Sequence, residues 1–359
     1  MSGTNRTAFK PARTASDAAR TDARGGSAER RRRPLGIPDG ARYLQMVLGF
    51  GRALAVSLVG LGAASFTSAN GVHNAGITWS SGNRAIYGAN VDGSRRHVLV
   101  PQIADAQGDP AWTRGGRTLA FFGMFSDTSE IFVIRPGEPK YRRPIRWRCA
   151  QPFVRYAPSI KRWLRRARCR FLGSAGNFRL FEPAWSPDAK RIAVSYEPLY
   201  GESTIRVIAV ATNKWTSVTT PKRHSFVGEP AWSPDGRTIA FARSLNRGTS
   251  TLYLVHPDGT ALRRLTNGRS PSWSPDGKRL AFTLGGSVYE IRADGRGRKR
   301  IIRGLRSPIV RWSPDGRKLL YTSESGKRAD VWIADVDGTH RRRILHRVDI
   351  EGIAWRPGS

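Results

Sequence analysis

Four acidic residues occupy one position of a repeated pattern, so folding could bring their carboxylates together. The first three each stand directly before Pro-Ala-Trp, and the fourth lies four residues before Trp355. Serines take this position in two further copies, at Ser270 and Ser307. Converging carboxylates can bind cations or basic peptide segments, and they can act as general acids and bases. The four acids are Asp109, Glu182, Glu229 and Glu351.

A structural interpretation of these acids stays open beside the functional one. In it, the carboxylates pair with neighbouring arginines or cap the starts of strands. For a second recurring acid, the aspartate of Ser-Pro-Asp, the structural interpretation is favoured, because a turn aspartate accepts hydrogen bonds from nearby backbone amides. These turn aspartates are Asp188, Asp235, Asp276 and Asp315.

The compact motifs that indicate catalysis are missing from the sequence. It has no G-x-S-x-G, P-loop, dinucleotide-binding or H-E-x-x-H motif, and none of its histidines form a pair at metal-ligand spacing. We therefore predict a protein that is not an enzyme and that uses no metal and no other cofactor.

The recurring acids are positioned by a repeat with a period of about 40 residues. In the copy at Trp232, Pro-Ala-Trp ends a first strand and Ser-Pro-Asp-Gly turns into a second; a third strand ends in Asp-Gly, and a fourth closes the unit. Four short strands at this period predict one blade of a β-propeller. The tryptophans that mark the copies are Trp112, Trp185, Trp232, Trp273, Trp312 and Trp355.

The two ends of the repeat fit together as a single blade. Residues 85–100 align without a gap to residues 251–266, a third and a fourth strand, and residues 75–81 predict the second strand before them. Residues 352–359 are interpreted as a first strand that has no second. The sequence therefore predicts an all-β, six-bladed β-propeller over residues 70–359, whose first blade is closed by the C-terminal strand. Such closure removes exposed sheet edges.

The W-S-P-D-G turns at Trp232, Trp273 and Trp312 resemble those of the TolB-like β-propeller family. The copy at Trp185 departs from the motif only at Ala189, and the copies at Trp112 and Trp355 are degenerate. The resemblance implies a propeller whose faces dock partner proteins. TolB itself has an additional N-terminal α/β domain, and the sequence before residue 70 does not resemble one.

The N-terminal part differs in composition from the repeats. Residues 1–45 are rich in Ala, Arg, Ser, Thr and Gly, which predicts a disordered basic tail. Residues 46–69 are apolar, but their uninterrupted core over 53–64 is short for a membrane span and typical of a signal peptide. We expect an exported protein, periplasmic or at the cell surface, with an uncleaved signal anchor at 46–69 as the alternative.

The chain is strongly basic, with 61 Lys and Arg against 27 Asp and Glu and a formal net charge of +34. A basic insertion over residues 146–181 is predicted between the second and third blades, where the tryptophan spacing is about thirty residues too long. Residues 159–172 within it predict a short amphipathic helix, and Cys149 and Cys169 predict a disulfide. The cations expected to dock an anionic partner are Arg146, Arg148, Lys161, Arg162, Arg165, Arg166, Arg168 and Arg170.

Together these features favour a monomeric, exported, non-catalytic scaffold that binds an envelope protein or an anionic envelope polymer. Peripheral membrane contact stays open. Nucleic acid is not an expected partner, since no nucleic-acid-binding module is recognised. Two alternatives place the function at the mouth of the propeller channel: binding of a ligand or carbohydrate there, or a hydrolase or lyase site there.

Overall fold

A computed structural model of the chain describes residues 76–81, 85–125, 128–136, 170–172, 178–198, 201–245 and 248–358. Within these ranges the chain forms six four-stranded antiparallel sheets and no helix, so the predicted all-β, six-bladed propeller is confirmed. No helix of these ranges is long and apolar enough to cross a membrane. The predicted tail at 1–45 and the apolar segment at 46–69 lie outside the described residues.

Each sheet is one blade, and its strands follow one another from the centre of the ring outward. The first blade holds β24 (Gly352–Trp355), β1 (Ile77–Ser80), β2 (Ile86–Ala89) and β3 (His97–Val100). The second holds β4 (Ala106–Trp112), β5 (Leu119–Phe125), β6 (Thr128–Ile134) and β7 (Arg170–Leu172). The third holds β8 (Phe178–Trp185), β9 (Arg191–Pro198), β10 (Thr204–Ala209) and β11 (Lys214–Ser217).

The other three blades repeat the order. The fourth holds β12 (Ser225–Trp232), β13 (Ile239–Leu245), β14 (Thr251–Val255) and β15 (Arg263–Asn267). The fifth holds β16 (Arg269–Trp273), β17 (Arg279–Leu284), β18 (Ser287–Arg292) and β19 (Lys299–Ile302). The sixth holds β20 (Val310–Trp312), β21 (Lys318–Ser325), β22 (Arg328–Asp335) and β23 (Arg342–Val348).

The first blade is closed by the C-terminal strand, as the repeat phasing predicts. β24 pairs antiparallel with β1 from Ile77 opposite Trp355 to Ser80 opposite Gly352. The first strands of successive blades contact one another around the ring, including β20 with β24. They are therefore the innermost strands, and the C-terminal segment completes the inner wall.

The insertion is placed differently from the sequence prediction. The outer strand of the second blade is β7, which pairs with residues 131–133 of β6. The extra residues thus lie between the third and fourth strands of the second blade, not between the second and third blades, and residues 178–181 belong to β8. The predicted helix over 159–172 is wrong at its end, because residues 170–172 form a strand.

The antiparallel order gives the propeller two distinct faces. The turns between first and second strands and those between third and fourth strands lie on one face, which we call the turn face. The connections between blades and the turns between second and third strands lie on the other, the mouth face. The insertion leaves β6 and returns at β7 on the turn face, so its predicted position beside the carboxylate mouth is wrong.

Apolar side chains pack between neighbouring sheets and hold the ring together. Between the third and fourth blades, for example, Ile205 and Val207 pack with Val227 and Phe241, and all four are buried. The aromatic residue of the second strand stacks on that of the third in several blades, as Phe241 does on Tyr253. Burial of this surface is the main force that aligns the blades.

The Ser-Pro-Asp turns have the structural role that the sequence predicts. In the third blade Asp188 Oδ1 accepts hydrogen bonds from Ser186 Oγ at 2.5 Å and from the Lys190 amide at 3.1 Å. The serine hydroxyl is the main cause that lowers the pKa of Asp188. The same serine-to-aspartate bond recurs at Asp235, Asp276 and Asp315. These carboxylates therefore stabilise turns.

Candidate functional site

The recurring acids of the first strands sit in β-bulges next to a proline. Asp109, Glu182 and Glu229 have φ of 50°, 52° and 57°, the left-handed region that L-residues rarely adopt. The pairing of first and second strands shifts register at each of these sites, for example between Gly108 and Ala111. The following proline cannot donate to the ladder, which favours a bulge at this point. The bulge turns each acid away from its own sheet.

The bulged acids reach across blade boundaries to cap the equivalent position of the next blade. Asp109 Oδ2 accepts a hydrogen bond from the Glu182 amide at 3.3 Å, and Glu182 Oε2 accepts one from the Glu229 amide at 2.5 Å. Glu229 Oε2 in turn accepts one from the Ser270 amide at 2.6 Å. Ser195 Oγ also donates to Glu182 Oε2, at 2.6 Å. The carboxylates thus tie the second, third, fourth and fifth blades together in sequence.

The fourth acid approaches the same chain of contacts from the first blade. Glu351 lies immediately before β24, and a Cβ atom added to Gly108 of the second blade would stand 3.4 Å from Glu351 Oε2. Glu351 also contributes to the electrostatic environment of Asp109. The structure therefore places Asp109, Glu182 and Glu229 in the middle of three adjacent inner strands and Glu351 directly before a fourth, from the first blade to the fourth. We call these four the mouth acids, after the position predicted for them.

Crowding of these acids shifts their protonation. Burial, followed by the charges of Glu182 and Glu351, raises the pKa of Asp109 well above its usual range. Burial and then the charge of Glu229 raise the pKa of Glu182, while the hydrogen bonds from Ser195 and from the Glu229 amide oppose the shift. The raised pKa of Asp109 shows that the cluster holds negative charge at an energetic cost.

Arg311 is a cation of this cluster that was not predicted from the sequence. Its guanidinium Nη1 donates to Ser270 Oγ at 3.1 Å and to the Val310 carbonyl at 2.9 Å. Burial lowers the pKa of Arg311, and the charges of Glu229, Asp109 and Glu182 act in the opposite direction. One arginine from the sixth blade thus faces acids from three other blades.

The repeat itself contains the signal that identifies Arg311. The residue directly before the repeat tryptophan is small in the other five blades, whereas Arg311 is long and charged. A residue at this position belongs to the innermost strand. The two blades that carry serine instead of a mouth acid are the fifth and the sixth, and Arg311 bonds to one of those serines. The small residues are Ala111, Ala184, Ala231, Ser272 and Ala354.

The remaining predicted site residues have no described side chains. Arg170 lies in β7, and the other seven proposed docking cations and both cysteines fall in the insertion outside the described residues. Within the described ranges, no group of three or more His, Cys, Asp or Glu side chains is arranged to hold a metal ion. Arg269 adds a second guanidinium to the cluster, because its Nη2 pairs with Glu229 Oε1 at 3.2 Å. The cluster therefore combines two guanidinium groups with several carboxylates.

Comparisons with known proteins agree with this architecture. The family model of the TolB β-propeller domain matches residues 174–357, just over half of the chain. A TolB structure from Acinetobacter baumannii superposes with a TM-score of 0.61 at 17% identity, covering 79% of this chain and 67% of that one. A protein assigned as TolB from Agrobacterium tumefaciens gives 0.55 at 16% identity, covering 79% of this chain and 99% of that one.

A chain of a nidogen/laminin complex shares the fold as well. Its TM-score is 0.60 at 12% identity, with 80% of this chain and 100% of that one covered. A search of curated proteins found no match. At these identities the structural neighbours show the fold alone, whereas the family match rests on the repeats themselves. The chain belongs to the TolB β-propeller domain family.

Proposed function

We propose that this chain is an exported, non-catalytic scaffold that binds an envelope protein or an anionic envelope polymer. The proposal rests on the hydrogen bonds that the recurring carboxylates form. Asp109, Glu182 and Glu229 cap amides of neighbouring blades. A general acid or base needs a proton-transfer position that faces a substrate. These three groups serve blade cohesion, which supports a binding role for the surfaces that they hold in place.

The insertion is the proposed docking element of the scaffold. Its cations at Arg165, Arg166 and Arg168 would attract an anionic partner, and a Cys149–Cys169 disulfide would restrain the loop that carries them. Because the insertion starts and ends on the turn face, we expect the partner to approach from that side. Export through the apolar segment at 46–69 would provide the oxidising compartment that the disulfide needs.

The test is crosslinked capture from the envelope of the native cell. The full chain is compared with a variant that lacks residues 146–169, which keeps β7 and all six sheets. A matched control replaces Arg165, Arg166 and Arg168 by glutamine without changing the length of the loop. Partners that are captured by the full chain and lost in both variants would support the proposal. The same partners captured by all three proteins would contradict it.

A second candidate, binding of a ligand at the channel mouth, is favoured by Arg311. A guanidinium among carboxylates can pair with the hydroxyl groups of a carbohydrate and with a charged ligand alike. Calorimetric titration of envelope oligosaccharides into the parent and into Arg311→Ala tests this candidate. Binding that weakens at least tenfold in the variant would support it, and equal affinities would contradict it.

A further inference from the structure

Eight exposed cations follow the rim of the turn face over three adjacent blades. They lie in the segments that lead from the Asp-Gly turns into the outer strands of the fourth, fifth and sixth blades. The outer turn of the fifth blade is the richest, with four of them between residues 296 and 300. We call this set the cationic arc: Arg263, Arg264, Arg296, Arg298, Lys299, Arg300, Arg341 and Arg342.

The cations of the arc outnumber the acids in the same outer turns. Two of these acids pair with cations outside the arc, Asp294 with Arg292 at 3.0 Å and Asp335 with Lys318 at 2.5 Å. Asp258 and Asp337 accept hydrogen bonds from the Thr260 and Thr339 amides, and Asp92 is close enough to Arg342 for their charges to interact. No member of the arc forms an ion pair with a described carboxylate. Arg264 bonds instead to the Asn267 side chain at 2.7 Å. The arc therefore presents net positive charge to solvent.

Contacts between blades make the arc continuous. Arg263 Nη2 of the fourth blade donates to the Ala293 carbonyl in the outer turn of the fifth, at 2.5 Å. The outer turn of the sixth blade packs on the outer strand of the fifth, so a Cβ on Gly338 would stand 2.5 Å from the Ile301 carbonyl oxygen. Each outer turn thus rests on the preceding blade, and the cations of three blades form one surface.

A hollow lies inward of the rim in the fifth blade. It has a volume of about 600 Å³ and lies between the inner and outer turns of the fifth blade. Lys278, Arg279 and Arg292 line it, together with Ala293, Asp276 and Asp294. Both aspartates hold their own turns, through bonds to the Lys278 and Arg296 amides. Arg279 pairs with Glu290 at 3.1 Å and Arg292 pairs with Asp294 at 3.0 Å. The positive excess of the fifth blade therefore lies at residues 296–300, on the outer side of the hollow.

Exposed apolar side chains stand at the outer turns of the same face. Leu262, directly before Arg263, is 45% exposed, and Val91 in the outer turn of the first blade is 42% exposed. They are two of the five large exposed apolar side chains among the described residues; Phe226 and Leu245, by contrast, lie at the mouth face. Apolar side chains beside cations suit the boundary between lipid headgroups and acyl chains.

We propose that the turn face docks on an anionic lipid bilayer through the cationic arc. A planar partner can contact cations at the rim and at the inner turns together, whereas a linear polymer would follow one track and leave the rest unpaired. Basic residues near an anionic leaflet attract its headgroups within a Debye length, and exposed Leu262 and Val91 can enter the interface. This inference goes beyond the scaffold function, since it uses neither the insertion nor the mouth acids.

The test is vesicle co-sedimentation of the full chain, with phosphatidylcholine vesicles that contain or lack phosphatidylglycerol. In one variant Arg296, Arg298, Lys299 and Arg300 become glutamine. The matched control makes the same change at four exposed cations of the mouth face: Lys222, Arg223, Arg303 and Arg306. At about fivefold per cation, we expect the turn-face variant to lose binding to anionic vesicles by a factor of about 600, and the control by much less.

Three results would overturn the proposal. In the first, the two variants lose vesicle binding equally, which would show that binding depends on the net charge of the protein and not on the turn face. In a second result, neither variant loses vesicle binding, which would assign the binding to another part of the chain. The turn-face variant could lose affinity for soluble polyphosphate while its vesicle binding is unchanged, which would assign the arc to a linear polyanion. Melting curves of both variants that match the parent would show that the fold is intact.

Discussion

The carboxylate of Glu182 accepts a hydrogen bond from the backbone amide of Glu229, at 2.5 Å, across the boundary between the third and fourth blades. The donor residue repeats the geometry of the acceptor, because Glu229 caps the Ser270 amide of the fifth blade. Because each acid caps the equivalent residue of the next blade, the same hydrogen bond can recur from blade to blade around the ring. The recurring acid therefore converts a sequence repeat into cohesion between blades.

We expect loss of the Glu182 carboxylate to weaken the fold. Glu182→Ala removes the acceptor of the Glu229 amide and of the Ser195 hydroxyl, and a buried donor without a partner costs about 1–3 kcal/mol. Glu182→Gln keeps one oxygen that can accept the amide and should cost less. Urea unfolding of the three proteins measures the difference. Equal stabilities of the alanine and glutamine variants would show that the cap contributes nothing.

Asp109 should make the stability of the ring depend on pH. Its pKa is raised in the folded state, so folding favours the protonated form. Its contribution to stability is complete below the pKa of the unfolded chain, near 3.9, and is lost as the pH rises through the higher folded pKa. An asparagine in its place would have no charge to bury, and asparagine tolerates the left-handed backbone.

The measurement is the melting temperature of the parent and of Asp109→Asn between about pH 4 and pH 7.5. We expect the variant to melt higher at neutral pH and the two curves to meet near pH 4. The turn aspartates, whose pKa values are lowered, weaken both proteins alike in acid and cancel in the comparison. A difference that does not change with pH would mean that Asp109 does not titrate in this range.

Arg311 is expected to act as the counter-charge of the mouth acids. Arg311→Ala restores the residue type found in most other blades, but it removes the positive charge that lowers the pKa of Asp109. We therefore expect a larger loss of stability at neutral pH than at pH 4. Arg269→Ala, which removes a half-exposed partner of Glu229, is the control and should show a weaker pH dependence. An equal pH dependence of the stability loss in the two variants would show that Arg311 is not the main counter-charge of these acids.

The fold could be predicted from the sequence because several independent features of the repeat indicate it. The Ser-Pro-Asp-Gly turns, the spacing of Trp232, Trp273 and Trp312, and the matching ends of the chain all indicate the same ring. The insertion was placed wrongly because the sequence alone does not show which segment forms the outer strand of the second blade. The pairing of Arg170–Leu172 with β6 identifies that segment, and pairing between distant segments leaves no local trace.

The sequence identified the recurring acids of the inner strands, but it did not show where along the strands they lie or what they bond to. A carboxylate before Pro-Ala-Trp is compatible with an open ligand site and with an amide cap. The left-handed backbone at Glu182 and Glu229 decides where the side chain points, and it follows from the bulge rather than from the residue type. Arg311 could have been found by comparing the residue before each repeat tryptophan, since it departs from five small residues.

Glycine in the outer turn should be required for contact between blades as well as for the turn. Gly338 has φ +86°, and an added Cβ would stand 2.5 Å from the Ile301 carbonyl oxygen. Gly326 has φ +68° with open space around it. Both alanine variants lose about 1–2 kcal/mol to the left-handed backbone, so the excess loss in Gly338→Ala measures the clash. Equal melting temperatures would mean that the sixth blade shifts to relieve it.

Removal of the C-terminal strand should unfold the whole propeller, not only the first blade. β24 supplies the inner strand of the first blade, and Trp355 Nε1 donates to the Arg311 carbonyl of the sixth at 3.1 Å. Deletion of residues 350–359 would expose the edge of β1 and open the apolar contact around Ile353, which is 3% exposed. The loss should approach the whole stability of a domain, about 5 kcal/mol or more.

Circular dichroism during heating, together with light scattering for aggregation, would detect this loss. Deletion of residues 2–11, from the segment predicted to be disordered, provides a control of equal length and should leave the melting curve unchanged. Because β24 belongs to the inner wall, no rearrangement of the outer strands can replace it. A 350–359 deletion that melts cooperatively at the temperature of the parent would show that the first blade closes without its C-terminal strand.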